Sequence, residues 1–131
     1  MSEIHWMDLL GWSEEEVNDL RFVAYSYIKQ GHYKIAMKFF DALVVLCPES
    51  SYDLQTLGAL HLELGDNLMA LNFFDRALQY DPNSPPTLIN RAKALFLLGY
   101  HRQGLEQAAV LKSHPDLKIS GQAEALILAY Q

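Results

Sequence analysis

Cysteine is almost missing from this 131-residue sequence: Cys47 stands alone, which excludes an internal disulfide and any cysteine-rich zinc site. Glycine and proline supply only twelve residues, while half of all residues are apolar, so neither a disordered nor a collagen-like chain is expected. No apolar run approaches the roughly 18 residues that a spanning helix needs. The start, Met-Ser-Glu-Ile-His-Trp-Met-Asp, has no basic segment leading into an apolar one. No secretory signal is therefore expected, and the location expected is cytoplasmic. Lysine and arginine are absent from the first 20 residues, which hold Glu3, Asp8, Glu14, Glu15, Glu16 and Asp19. Acids and bases balance in the remainder, so the net charge of −6 sits at one end. An acidic surface repels phosphate backbones, so nucleic acid is not an expected partner. The acidic start reads either as helix N-terminal charge or as a contact for a basic partner.

The strongest feature present is a repeat of 34 residues. Gly31, Gly65 and Gly99 fall in register, as do Ala36, Ala70 and Gly104; Phe40, Phe74 and Ala108; Leu43, Ala77 and Leu111; Leu20, Leu54 and Leu88; and Ala24, Gly58 and Ala92. Pro48 and Pro82 keep the interval, and Pro115 comes one residue early. Leu54, Leu57, Gly58 and His61 occupy one face of a helix. Gly65 ends that helix, and a second helix presents Ala70, Phe73, Phe74 and Ala77 inward. Small Gly58 and Ala70 permit close approach, with Phe74 beside them. Residues 17–50 repeat the design with Leu20, Val23, Ala24 and Tyr27 on the first helix. Residues 85–118 repeat it loosely, with Arg91 in the place of Val23 and Leu57, and Ala108 in the place of a phenylalanine.

Local signals place the helix ends. Ser13 and Glu16 make a capping box, Ser50 and Asp53 a second start signal, and Ser84 a cap with Pro85 in the first turn. Helices are expected near 3–11, 14–30, 33–46, 51–64, 67–80, 85–98, 101–113 and 119–130, with no sheet. The expected fold is all-α, a single domain over 1–131. Three helical hairpins at about 17–50, 51–84 and 85–118 stack as a right-handed superhelix, between a short N-terminal helix and a C-terminal capping helix.

The pattern resembles the tetratricopeptide repeat, most closely in Leu54-x2-Leu57-Gly58-x2-His61, Ala70-x3-Phe74 and Pro82. It departs in having Leu54 where that family often has Trp, and His61 where it often has Tyr. The run from Tyr25 to Phe40, followed by Leu43, Leu46 and Pro48, is similar to the first repeat of type III secretion translocator chaperones. Phe74-Asp75-Arg76-Ala77-Leu78-Gln79-Tyr80-Asp81-Pro82 is similar to their second. The smaller chaperones of needle subunits and early export components fit the length about as well. What the resemblance implies is a cytoplasmic protein that holds a hydrophobic segment of a secreted substrate in a concave groove. It also implies an N-terminal region that often carries a dimer contact. The alternative is a general tetratricopeptide scaffold unrelated to secretion.

In this fold the first helix of each repeat lines the groove. That places Arg21, Tyr25 and Ile28, then Gln55 and Leu62, then Ile89, Lys93 and Phe96 as the expected protein-binding residues. Tyr25, Ile28, Leu62, Ile89 and Phe96 would form an apolar strip, with Arg21, Gln55 and Lys93 bonding a partner's backbone or an acidic residue. Leu97 is expected in the core. The C-terminal helix is apolar nearly all round, through Ala123, Leu126, Ile127 and Tyr130 on one face and Ala125, Leu128 and Ala129 on the other. Deep burial is favoured over contact with another chain. Trp6 and Trp12, with Met7, Leu9 and Leu10, read either as a cap on the first repeat or as a homodimer or partner contact.

No enzyme, metal site or cofactor is expected. His5, His32, His61, His101 and His114 are scattered without metal-ligand spacing, and His61 takes the place of a packed aromatic. Cys47 has no adjacent base. The carboxylate clamp that binds heat-shock protein tails would need basic and amide residues where this sequence has Arg21, Tyr25, Thr56, Pro86 and Asn90. Only Arg21 qualifies. His114-Pro115-Asp116 matches the tripeptide of J-domain co-chaperones, but an interhelical turn explains Pro115.

Overall fold

The structure is a computed structural model that describes residues 6–131. It contains α1 (Trp6–Leu10), α2 (Glu14–Lys29), α3 (Tyr33–Leu46), α4 (Ser51–Glu63), α5 (Asn67–Tyr80), α6 (Pro85–Leu97), α7 (His101–Leu111) and α8 (Leu117–Tyr130), with no strand among the described residues. The helix expected from residue 3 is described from Trp6 onward, and Glu3 and His5 lie outside the described residues.

The helix ends follow the local chemistry. The Ser13 hydroxyl accepts the Glu16 amide while the Glu16 carboxylate accepts the Ser13 amide, closing the capping box at 3.2 and 3.3 Å. The Ser50 hydroxyl accepts the Asp53 amide. Ser84 precedes α6 as expected, but its hydroxyl accepts from the Thr87 hydroxyl rather than from the backbone. Three hairpin turns share one construction. Gly31, Gly65 and Gly99 have φ of 80°, 85° and 89°, and the amide after each bonds a carbonyl of the preceding helix.

Within each hairpin one aromatic ring fills the space between two helices that small residues bring close. A Cβ on Gly58 would lie 2.7 Å from the Phe74 ring, so the α4–α5 approach requires glycine there. The third hairpin reaches the same packing with its partners exchanged. Ala108 replaces the phenylalanine of the second helix, and Phe96 of the first helix lies over Gly104, whose added Cβ would meet that ring at 2.8 Å. Phe96 is consequently 2% exposed, in a cluster with Ala92 and Ala108.

Each hairpin stacks on the one before it through its first helix, which packs chiefly on that hairpin's second helix. Leu57 and Leu60 of α4 join Val17, Ala24, Ala36, Phe40 and Leu43 of the hairpin before them. Ala94 of α6 joins Leu62, Ala70 and Phe74. Polar staples reinforce both junctions: Arg21 grips Asp53, and Arg91 pairs with Asp75 at 2.7 Å. At the far end α8 packs on α7 and leans on α6, burying Ile119 and Ala123. Its outer face is open, with Leu128 69% exposed, so the deep burial favoured from composition does not occur.

Candidate functional site: a groove between the first two repeats

α2 and α4 leave a groove between them, with a cavity of about 380 Å³. Tyr25 and Ile28 come from α2, Tyr33 from the start of α3, and Tyr52, Gln55, Thr56, Ala59, Leu60 and Glu63 from α4. Helical geometry explains the set. Tyr52, Gln55, Ala59 and Glu63 recur at intervals of three and four, so they share one face of α4. Ala59 is small and half-buried, which makes it the floor, and three tyrosines form the walls. Such rings offer a large apolar body and a polar tip at low entropic cost. The Lys29 ammonium lies 5.3 Å from the Tyr25 ring centre, placing a cation beside one of the groove's tyrosines.

The expected binding residues divide in four ways. Tyr25, Ile28 and Gln55 are brought together in this groove. Lys93, one repeat on from Ala59, is exposed on α6. Leu62, Ile89 and Phe96 are buried and do not face it, which corrects the expected apolar strip. The reason is visible in the 34-residue register. Leu62 and Phe96 are equivalent positions that look toward the next helical layer rather than into the hollow, whereas Ile28 in the same register lines the groove. Leu62 therefore meets Ala94, and Phe96 meets α8, where Tyr130 stacks on it at 4.5 Å. Ile89 is covered by Leu111, Ile119 and Ala123. Leu97, expected in the core, is 44% exposed instead, because Phe96 takes the inward position.

Arg21 is also committed elsewhere. Its Nε and Nη2 donate to the two carboxylate oxygens of fully buried Asp53, each at 2.6 Å, and Nη1 donates to Asn18. The hydrogen bonds to Asp53 outweigh the effect of burial and raise the guanidinium pKa above its ordinary value. Arg21 thus staples the first repeat to the second rather than waiting for a ligand. One groove residue, Tyr33, escaped the sequence argument. Tyr33 opens a second helix, where groove residues are not sought.

A larger cavity of about 610 Å³ lies between α5, α6 and α7, lined by Leu71, Arg91, Leu95, Tyr100, Gln103, Glu106, Gln107 and Val110. Its lining is mixed, and Arg91 is already held by Asp75 and Gln107. Among the described residues no cluster of three His, Cys, Asp or Glu side chains is placed to hold a metal ion. No helix described is long and apolar enough to cross a membrane. His61 stacks on Phe73 with centroids 5.4 Å apart, as an aromatic in its place would.

Comparison with known proteins agrees with this geometry. The family model of the tetratricopeptide repeat matches residues 54–84. None of the curated proteins matches the sequence. Among solved structures, the type III secretion translocator chaperone SycD of Yersinia enterocolitica superposes with a TM-score of 0.83 at 20% identity, covering 98% of this chain and 99% of that one. SycD in complex with a peptide of the translocator YopD gives 0.76 at 23% identity, over 91% and 98% of the two chains. PcrH, a Pseudomonas aeruginosa protein, in complex with the chaperone-binding region of PopD gives 0.81 at 24% identity, over 92% and 94%. The chain carries tetratricopeptide-type hairpins and has the fold of these translocator chaperones.

Proposed function

We propose that this protein is a chaperone that holds a hydrophobic segment of a type III secretion substrate in the α2–α4 groove. The observation that carries the reading is the groove itself: an apolar, tyrosine-walled slot with a small floor residue, in a fold whose solved relatives are described with translocator peptides bound. Tyr25, Ile28 and Tyr52 supply apolar contact, and a fully buried aliphatic side chain there contributes roughly 1.5–3 kcal/mol. Gln55, with Lys93 farther along, bonds the segment's backbone or an acidic residue. Sheltering a sticky segment in this way lowers its free concentration, which is the thermodynamic task of a holding chaperone. No step of it requires catalysis, and cytoplasmic action accords with it.

The test is co-expression with candidate hydrophobic secretion substrates, comparing capture by the wild type with capture by Ala59→Glu and Tyr25→Ala. Ala59→Glu puts a charge on the floor of the groove, at a half-buried site outside the buried clusters that hold the hairpins together. Capture is expected to fall roughly tenfold or more for Ala59→Glu. Undiminished capture by a variant with native circular dichroism would overturn the reading.

A further inference from the structure

The junction of the second and third hairpins lacks a ring that the junction before it has. Between the first two hairpins, Phe73 of α5 stacks on His61 of α4 with centroids 5.4 Å apart and packs against the core of the first hairpin. The Arg76 guanidinium lies over the same ring, 5.1 Å from its centre. One repeat later, Gln107 stands in the place of Phe73, Leu95 in the place of His61 and Val110 in the place of Arg76. All three line the cavity of about 610 Å³ between α5, α6 and α7. A space therefore opens where the preceding junction is filled. Leu95, 4% exposed, and half-buried Leu71 make its floor, while Tyr100 and Val110 are exposed at its mouth. An apolar floor without a side chain to cover it forgoes dispersion contacts that a side chain from outside would restore.

The electrostatics of the cleft limit what fits. Both charged groups in its lining are already neutralised within the fold. Arg91 donates through Nε to Asp75 at 2.7 Å and through Nη1 to Gln107 at 3.1 Å, and the Glu106 carboxylate accepts from Arg102 at 3.4 Å. A cation or an anion would find no unpaired opposite charge here, and its desolvation would go uncompensated. The amide of Gln103, the amide nitrogen of Gln107 and the Tyr100 hydroxyl are left to bond neutral peptide groups. The complementary occupant is uncharged, aromatic at one point and peptide-like on either side of it.

We infer that this cleft docks an uncharged segment of a partner protein through one aromatic side chain, which takes the place that Phe73 holds one repeat earlier. The cleft shares no lining residue with the α2–α4 groove, so the inference does not depend on the groove reading.

Methyl NMR on the full chain tests the assignment, with the N-acetyl amides of phenylalanine, lysine and aspartate as probes. The phenylalanine amide is expected to shift the methyl signals of Leu71, Leu95 and Val110 and to saturate at roughly 1 mM, as a ligand of its size permits. The two charged amides are expected to bind at least about tenfold more weakly. A neutral peptide of about twelve alanine, serine and glutamine residues with one central phenylalanine is expected to bind roughly tenfold more tightly than the amide, and the same peptide with alanine at its centre not to bind. Val110→Glu, at an exposed position, is expected to weaken both ligands about tenfold without disturbing the fold. Gln107→Phe supplies the missing ring from within and is expected to exclude them. Unshifted methyls at these three residues, or shifts confined to the α2–α4 groove, overturn the proposal. So does equal binding of the charged amides, or a Val110→Glu protein that binds as the wild type does. A central phenylalanine that gives the peptide no advantage overturns docking of a segment.

Discussion

The Tyr130 ring lies flat on Phe96, with centroids 4.5 Å apart and planes 3° from parallel. This contact joins the last helix to the third hairpin and closes the end of the stack that the groove does not use. His101 meets both rings edge-on, at 6.1 and 6.0 Å. Truncating Tyr130→Ala is expected to destabilise the fold by about 1–3 kcal/mol through lost burial and stacking. Phe96→Ala, which also opens a cavity over Gly104, is expected to cost about 3–5 kcal/mol. The pair is expected to couple by about 0.5–1.5 kcal/mol in a double-mutant cycle followed by urea denaturation. Additive losses would show that the rings act independently.

Two glycine-to-alanine substitutions are expected to have opposite signs. Gly121 lies within α8 with open space where a Cβ would go, so Gly121→Ala should stabilise the protein by about 0.5–1 kcal/mol through helix propensity. Gly58→Ala gains a similar propensity term. It also forces a methyl against the Phe74 ring and to 3.2 Å from the Ala70 carbonyl oxygen. Overpacking of this kind costs about 1–3 kcal/mol, so a net loss is expected. Chemical denaturation of both variants and of Gly58→Ala with Phe74→Leu checks the cause, because the smaller side chain should recover part of that loss.

Most of the architecture was legible because tetratricopeptide-type hairpins write their geometry into spacing. The glycine at each turn and the small residue on each helix recur every 34 residues, the large ring between them recurs in the first two hairpins, and the limits of α3 and α5 agree with those expected. The groove was only half legible. A 3.6-residue period separates the buried face of a helix from the exposed one, but it does not tell a face turned to the hollow from one turned to the next hairpin. Leu62 and Phe96 were assigned to the hollow on that ambiguity, while Ile28 does line it. The sequence did carry a signal for Phe96: with Gly104 and Ala108 where Ala70 and Phe74 stand in the second repeat, the missing ring must come from the other helix. The Arg21–Asp53 pair was hidden for a different reason. Its partners are 32 residues apart and belong to neighbouring repeats, and Asp53 reads locally as a first-turn acid.

Breaking that pair from one side should be far worse than removing both charges. Asp53 is fully buried, and its two carboxylate oxygens accept from Arg21. Arg21→Ala strands a buried carboxylate, which typically costs about 3–5 kcal/mol. Replacing both residues, as Arg21→Met with Asp53→Leu, removes the desolvated charge together with its partner and is expected to recover most of that loss. Thermal or urea unfolding of the single and double variants decides the matter. An Arg21→Ala protein as stable as the wild type would mean that the pair contributes nothing to the junction of the first two hairpins.

Salt should barely touch the proposed groove. It is lined mainly by tyrosines and apolar residues, so affinity for a hydrophobic segment would arise from burial and should change little with ionic strength. The sign of the heat-capacity change should be negative, as burial of apolar surface requires. Titrating a substrate segment from about 0.05 to 0.5 M salt shortens the Debye length from roughly 14 to 4 Å. Capture is expected to hold within about twofold over that range. Segment binding that fell severalfold would mean that charge, acting through Lys93 or Glu63, rather than tyrosine-walled burial dominates the groove.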